Sequence, residues 1–245
     1  MKNKICSHLV CYYPDREKSL KFAKALIDGG SSYLEVQFPF SDPIADGIAI
    51  QTASTIAIKS GFTLENGFKF IERVKRYSSI PIFLMTYGNI VYHNSVENFC
   101  KRSLDAGASG LIVPDLPIGN DEKLFEYSEK YNVPAIPVLF PSMSDKRILL
   151  VKNILSEYIY VALRQGITGI YTEIGKDNID FLKIVRKMNK KILAGFGIST
   201  IKQVEAITPY AEAAVVGSAY IKLIKEKFDS GKIKEKVKEL VCFPK

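Results

Sequence analysis

The second apolar run of the chain, Tyr33–Phe38, reads YLEVQF. Successive side chains of an extended strand point to opposite faces, so this run separates into an apolar face and a face that carries Tyr33, Glu35 and Gln37. The apolar face suits packing against helices. The run therefore predicts a strand whose second face holds a carboxyl group away from those helices.

Seven further apolar runs alternate with amphipathic segments along the rest of the chain. The predicted strands are Ile5–Tyr12, Tyr33–Phe38, Pro81–Met85, Gly110–Val113, Ala135–Leu139, Tyr158–Leu163, Lys191–Ala194 and Ala213–Val216. One helical pattern closes with Phe22, Ala25, Leu26 and Gly29, and another is marked by Phe68, Ile71 and Val74. The other helical patterns are Val96–Leu104, Lys123–Tyr131, Lys146–Leu155, Asn178–Met188, Lys202–Ile207 and Ala219–Phe228. Eight strand–helix units with no linker predict an α/β fold, a (β/α)8 TIM barrel formed as a single domain by residues 1–245. An open Rossmann-like sheet is the alternative, but no GxGxxG motif follows the first strand.

Composition narrows the function classes. The net charge is +8, yet the lysines are mixed with acids at helical spacing, which favours solvated helix faces over a nucleic-acid surface. Four cysteines without a CxxC pair indicate reduced core thiols rather than a metal site. No apolar run is long enough to cross a membrane, and the first residues do not resemble a signal peptide. A cytoplasmic protein without a membrane or nucleic-acid partner is expected.

In such a barrel the loops at the carboxyl ends of the strands carry the active site. The loop after the second strand, residues 39–47, reads PFSDPIADG and holds two acids, two prolines and a glycine. Prolines stiffen a loop and can hold a carboxylate over the barrel mouth. Either acid could instead form a turn or cap a helix, and for Asp42 before Pro43 that alternative is a good one.

Residues 35–47, EVQFPFSDPIADG, closely resemble the signature of the tryptophan synthase alpha chain family. The resemblance extends over nearly the whole chain and includes MTYGN at 85–89, VPDLP at 113–117, GITG at 166–169, GFGIS at 195–199 and VGSA at 216–219. It implies a TIM-barrel lyase that needs no cofactor or metal. The enzyme would cleave indole-3-glycerol phosphate into indole and glyceraldehyde 3-phosphate. The indole would pass to a beta chain for tryptophan synthesis in an alpha2-beta2 heterotetramer.

The resemblance also implies roles for individual residues. It makes Glu35 the proton-transfer group, Asp46 the acid that holds the indole N–H, and Tyr160 a pocket residue beside them. The substrate phosphate would bind at Gly169, Gly197, Gly217 and Ser218, and the indole would lie against Met85, Ile112, Val138 and Phe196. Glycine-rich loops after the last strands of a barrel are independently typical of phosphate sites.

Two loops would couple the site to the beta chain, through Asp42 and Pro43 in one and Arg164 and Thr168 in the other. The chain departs from the family at its start, where the usual additional helix is expected to be absent or truncated. His8 stands where phenylalanine is usual, which favours a core or pocket-lining imidazole over a catalyst. A different phosphate-binding barrel of the same pathway, an isomerase or synthase, is the alternative function, although it would lack the loop Phe40–Pro43.

Overall fold

The computed structural model describes residues 2–93, 95–163, 174–225 and 227–242. Its eight strands are β1 (Ile5–Val10), β2 (Tyr33–Gln37), β3 (Ile82–Met85), β4 (Gly110–Ile112), β5 (Val138–Leu139), β6 (Tyr158–Ala162), β7 (Lys191–Gly195) and β8 (Ala213–Val216). The helices of the described residues are α1 (Arg16–Asp28), α2 (Ile48–Lys59), α3 (Leu64–Tyr77), α4 (Gly88–Tyr92), α5 (Val96–Asp105), α6 (Leu124–Lys130), α7 (Asp145–Lys152), α8 (Lys176–Arg186), α9 (Ile201–Ile207), α10 (Ser218–Ile224) and α11 (Ser230–Val241).

The strands form one parallel sheet in the order β4-β3-β2-β1-β8-β7-β6-β5. The ends of this sheet meet at an isolated parallel bridge between Leu111 and Ala135. There the Leu111 N–H donates to the Pro134 carbonyl at 3.0 Å, and the Ile136 N–H donates to the Leu111 carbonyl at 2.7 Å. The sheet therefore closes into a (β/α)8 barrel, as the sequence predicts.

The two faces of the strands pack into separate apolar clusters. Side chains of one face, such as Leu34, Val36 and Ile159, join a large cluster with the surrounding helices. Side chains of the other face, such as Tyr33 and Tyr158, fill the interior of the barrel. This confirms the facing predicted for β2, and it places Glu35 inside the barrel.

Local sequence fixes where α1 begins and ends. The Asp15 carboxylate accepts hydrogen bonds from the backbone N–H groups of Glu17 and Lys18, which caps the first turn. Gly30 follows the helix with φ +104°, a conformation that glycine adopts without steric cost. The chain then enters β2, which brings Glu35 opposite His8 of β1.

Several elements differ from the predicted ones. No predicted helix covers α2, α4 or α11, and α10 ends at Ile224 rather than Phe228. β5 is shorter than predicted because Pro137, inside the predicted stretch, has no N–H to donate. Residues 2–4, which precede β1, form no helix.

Candidate active site

Glu35 and His8 form a buried pair inside the barrel mouth. Parallel pairing of β1 with β2 places the two residues directly opposite each other. His8 Nδ1 lies 2.7 Å from Glu35 Oε1, and each residue is only 4% exposed. Among the described residues, the other polar atom of each side chain, Glu35 Oε2 and His8 Nε2, has no hydrogen-bond partner.

The protonation of His8 depends on this contact. Burial lowers the pKa of the His8 imidazole, but the charge of Glu35 and the hydrogen bond to it raise the pKa by more, and the Asp46 carboxylate adds to this effect. The net pKa of His8 is therefore above its ordinary value. The imidazole retains its second proton at a higher pH than an exposed histidine would.

Asp46 lies across the same cavity and is 3% exposed. Its Oδ2 accepts hydrogen bonds from Gln37 Nε2 at 2.7 Å and from the Tyr87 hydroxyl at 2.9 Å. Gln51 Nε2 donates to the Asp46 carbonyl at 2.7 Å, and the Ala45 N–H donates to the Tyr87 hydroxyl at 3.2 Å. The loop after β2 is thus held by β2, by the loop after β3 and by α2.

Burial raises the pKa of the Asp46 carboxyl above its usual range. His8 and the hydrogen bonds from Gln37 and Tyr87 lower the pKa of Asp46, and they offset only part of the effect of burial. Burial and the adjacent Asp46 charge raise the pKa of Tyr87 far above its usual value. Tyr87 therefore remains a neutral hydroxyl that donates to the carboxylate.

Tyr160 projects from β6 into the barrel and lines the same cavity. Burial raises the pKa of its hydroxyl well above the ordinary value, and Glu35 raises it further, so the side chain is a neutral phenol. Gly195 on β7 makes room for this ring, since a Cβ there would lie 2.6 Å from the Tyr160 hydroxyl oxygen. The glycine of the GFGIS motif therefore has a packing role beside the site.

Apolar side chains complete the wall of the cavity that holds the two carboxyl groups. The four residues expected to contact indole all line it: Met85, Ile112, Val138 and Phe196. Met85 and Ile112 are 6% and 2% exposed, so they form a closed apolar wall at the ends of β3 and β4. A flat aromatic ring fits such a wall, with polar groups only where an orienting contact is needed.

Gly197, Gly217 and Ser218, three of the residues expected to bind the phosphate, lie at the rim of the same cavity. We call these three residues the glycine corner. Phe196 and Gly197 have φ values of +86° and +81°, so the loop after β7 turns sharply. Gln203 fixes this loop, because its Nε2 donates to the Gly197 carbonyl at 3.1 Å and its Oε1 accepts from the Ser199 N–H at 2.9 Å. Gly217 lies against His8, and a Cβ at Gly217 would be 2.9 Å from His8 Cδ2.

The residues expected to couple the site to a partner are only partly described. Asp42 is exposed, and Pro43 is buried at the start of a turn in which the Asp46 N–H donates to the Pro43 carbonyl at 3.0 Å. Ile44 and Ile48 flank Asp46, and each is 74% exposed. Arg164, Thr168 and the phosphate-site candidate Gly169 lie outside the described residues.

Asp115, from the VPDLP motif, joins two loops of the mouth. Both oxygens of its carboxyl group lie 3.0 Å from the Gly88 backbone nitrogen. Burial raises the pKa of Asp115, and the hydrogen bond from Gly88 opposes that rise. The contact ties the loop after β4 to the start of α4, and so it supports the position of Tyr87.

Two negative findings concern the described part of the chain. No group of three or more histidine, cysteine, aspartate or glutamate side chains in it is arranged to hold a metal ion. Within the same residues, none of the helices has the length and apolar character needed to cross a membrane.

Sequence reasoning missed the residues that hold the carboxyl groups. The sequence indicates only that Gln37 faces inward and that Tyr87 belongs to a motif. Gln203, which holds the loop after β7, is indicated only as part of a predicted helix. The alternation of β2 places Gln37 on the same face as Glu35, which was the available signal. The contact between His8 and Glu35 depends on the register between two strands, which a single local motif does not show.

The fold and the site define a class: a (β/α)8-barrel enzyme with two buried carboxyl groups and a glycine-lined corner in one cavity at its mouth. A sequence model described as tryptophan synthase alpha chain matches residues 1–244. The chain belongs to the tryptophan synthase alpha chain family.

Individual relatives agree with this assignment. The chain is 37% identical over 232 residues to the tryptophan synthase alpha chain of Helicobacter hepaticus, which covers 92% of this chain and 87% of the relative. It is 35% identical over 245 residues to the tryptophan synthase alpha chain of Aquifex aeolicus, and the match covers 96% of this chain and 92% of that relative. It superposes on a chain of the tryptophan synthase complex of Pyrococcus furiosus with a TM-score of 0.88 at 32% identity, covering 98% of this chain and 99% of that one.

Family membership confirms the expected activity. The chain is a lyase of tryptophan biosynthesis that cleaves indole-3-glycerol phosphate into indole and glyceraldehyde 3-phosphate. The alternative, another phosphate-binding barrel enzyme of the same pathway, is not favoured.

Proposed function

We propose that Glu35 and Asp46 divide the proton work of this cleavage between them. The observation that carries the proposal is the single cavity that contains both carboxyl groups, Tyr160, the apolar wall and the glycine corner. A substrate with an aromatic ring at one end and a phosphate at the other matches this order of surfaces. The reacting carbons then lie between the two ends, next to Glu35.

The reaction breaks the bond between indole C3 and the first carbon of the glycerol side chain. Glu35 gives a proton to C3 and takes the proton of the side-chain hydroxyl, which becomes the aldehyde. The bonding electron pair returns to the indole ring, so protons and electrons balance. The unpartnered Oε2 of Glu35 is the atom available for both transfers.

Asp46 accepts a hydrogen bond from the indole N–H and stabilises the positive charge that develops when C3 is protonated. Gln37 and Tyr87 support this role, because both donate to Oδ2 and hold the carboxylate in place. Tyr160 acts beside the acids as a neutral hydroxyl that orients the substrate. These roles require the Asp46 carboxyl group to be ionised while Glu35 holds the proton that it gives to C3.

The phosphate binds at the glycine corner through backbone N–H groups of Gly197, Gly217 and Ser218, with Gly169 completing it. The indole ring lies against Met85, Ile112, Val138 and Phe196. Backbone N–H groups suit an anion because no side chain blocks its approach. The Gln203 contact supports the role of the Gly197 loop, since it holds the turn in one shape.

The chain acts as the alpha subunit of an alpha2-beta2 heterotetramer, and its indole passes to the beta chain. Support comes from the similar chain of Pyrococcus furiosus, which belongs to a tryptophan synthase complex. The exposed Ile44 and Ile48 beside Asp46 add an apolar surface at the mouth. Asp42 and Pro43, together with Arg164 and Thr168, transmit the presence of the partner to the site.

Residues 1–245 form one TIM-barrel domain in this proposal, and the biosynthetic role supports a cytoplasmic location. The experiment is to incubate the purified chain with indole-3-glycerol phosphate and to quantify both products. Equal amounts of indole and glyceraldehyde 3-phosphate are expected, in the absence of added cofactor. Conversion of the substrate without indole release would overturn the proposal.

A further inference from the structure

The mechanism proposed for this site leaves unused a buried titratable group, His8, that touches Glu35. His8 Nδ1 lies 2.7 Å from Glu35 Oε1, at the distance of a charge-assisted hydrogen bond. Both side chains are about 95% buried, so bulk water does not compete for this contact. The opposing positions of the two residues on β1 and β2 fix the distance through the backbone.

The surroundings of His8 hold its ring in this position. Gly217, where β8 ends, lies against the ring, and any larger residue there would meet it, since a Cβ would be 2.9 Å from Cδ2. The carboxyl group of Glu35 therefore has one oxygen held by His8, while its other oxygen lacks a partner among the described residues. A carboxyl group held in this way presents a defined oxygen to a ligand in the cavity.

We propose that His8 is the positioning and proton-sharing partner of Glu35, so that the pair, rather than the carboxyl group alone, holds the one proton that the reaction moves. The inference rests on the proposed role of Glu35. In the resting pair, Nδ1 lies against Oε1, and the one exchangeable proton is held either by the imidazole or by Oε2 of Glu35, the oxygen that exchanges it with the substrate. The pair gives one proton to indole C3 and regains one from the side-chain hydroxyl, so His8 gains or loses none over the cycle.

The pair gives the enzyme a distinct dependence on pH. The groups that face His8 are the Glu35 and Asp46 carboxyls, and Tyr160 and Cys6 are the other buried titratable groups near Glu35. Tyr160 and Cys6 have pKa values raised well above normal and stay neutral. Asp46 must be ionised for activity. Its protonation therefore sets the acid limb of the pH profile, where activity falls as the pH is lowered. Loss of the shared proton sets the alkaline limb of the pH profile, where activity falls as the pH is raised. The raised pKa of His8 moves this limb to higher pH.

The test compares kcat and kcat/KM against pH for the wild type, His8→Phe and His8→Asn. Phenylalanine removes the contact, whereas the asparagine amide can still donate to Oε1 but carries no exchangeable proton. His93→Phe is the matched control, because it makes the same substitution at an exposed position at the end of α4.

We expect kcat of His8→Phe to fall by about tenfold or more, and that of His8→Asn to fall less. The alkaline limb should move to lower pH by at least about one pH unit in both variants, because neither phenylalanine nor asparagine can share the exchangeable proton. His93→Phe should match the wild type. If His8→Phe does not fold beside Gly217, the asparagine variant carries the test.

An alkaline limb that stays in place in the His8 variants would overturn the inference, whether or not kcat falls, because His8 would then only fill space. Failure of the proposed function gives a different result. In that case the wild type and His93→Phe would themselves release no indole from the substrate.

Discussion

At the scale of single residues, the site is defined by how each carboxyl group is held. Glu35 is held by an imidazole that can be charged, whereas Asp46 is held by the neutral donors Gln37 and Tyr87. Burial raises the pKa of Asp46, and its neutral partners offset only part of that rise. Two carboxyl groups in different environments can perform opposite halves of one acid–base reaction.

Tyr87→Phe tests how Asp46 is held. The change removes a 2.9 Å hydrogen bond to the charged form of Asp46 while leaving the ring in place. Burial already raises the pKa of Asp46, and loss of this donor should raise it further. The acid limb of kcat/KM should therefore move to higher pH, with activity lost sooner as the pH falls.

Tyr92→Phe is the control for this prediction, since Tyr92 is 40% exposed on α4. Its acid limb should coincide with that of the wild type. An acid limb in Tyr87→Phe that is unchanged, or displaced to lower pH, would show that Asp46 does not govern it.

At the scale of elements, local pattern predicts some features and misses others for physical reasons. The alternation of β2 gave the correct inward face, because strand geometry alone decides it. The helix α2 was missed because its sequence, IAIQTASTIAIK, is apolar on several sides, and three of its isoleucines are exposed. α4 has five residues, too few to show a helical period.

In the site, too, local motifs predict some features and miss others. The acids, the apolar wall and the glycine corner could be expected from motifs, and the structure places those of them that it describes in one cavity. The His8 contact with Glu35 and the Gln203 contact with Gly197 could not. Each depends on how two elements that are distant in sequence are aligned, and strand register is a property of the whole sheet.

Gln203→Met tests the loop after β7. The substitution preserves the length of the side chain but removes the hydrogen bonds to the Gly197 carbonyl and from the Ser199 N–H. The turn should loosen, so KM for indole-3-glycerol phosphate should rise about tenfold, the cost of one to two neutral hydrogen bonds. The affinity for indole alone, measured by calorimetry, should change little because indole carries no phosphate.

Thr63→Val is the matched control, because it removes the cap of α3. Loss of a helix cap costs about 0.5–2 kcal/mol of stability. The control should lower the melting temperature without raising KM. Equal increases in KM for both variants would mean that general stability, rather than the Gly197 loop, sets phosphate affinity.

At the scale of the whole molecule, the barrel mouth is where the site and the proposed partner surface meet. Ile44 and Ile48 lie on the two sides of Asp46 and are each 74% exposed. Ile48→Lys should leave folding intact, because the side chain is already largely in solvent. It should weaken binding of the cognate beta chain by at least tenfold, since a charge would be buried in an apolar contact.

Leu155→Lys is the control for that prediction. Leu155 is 76% exposed and precedes the start of β6, at the opposite end of the barrel from the mouth. Affinity for the beta chain, measured by calorimetric titration, should be unaffected in this variant. If the two variants bind equally well, the partner does not contact the Asp46 loop.

The central claim is that Glu35 carries the proton in a cavity that otherwise only binds and orients. The most direct measurement is kcat for indole release by Glu35→Gln, alongside its affinity for glyceraldehyde 3-phosphate. Glutamine preserves the volume of the side chain and cannot exchange a proton, so kcat should fall by about 10²–10⁴-fold while the affinity remains within about twofold. Indole release at a rate close to that of the wild type would contradict the account.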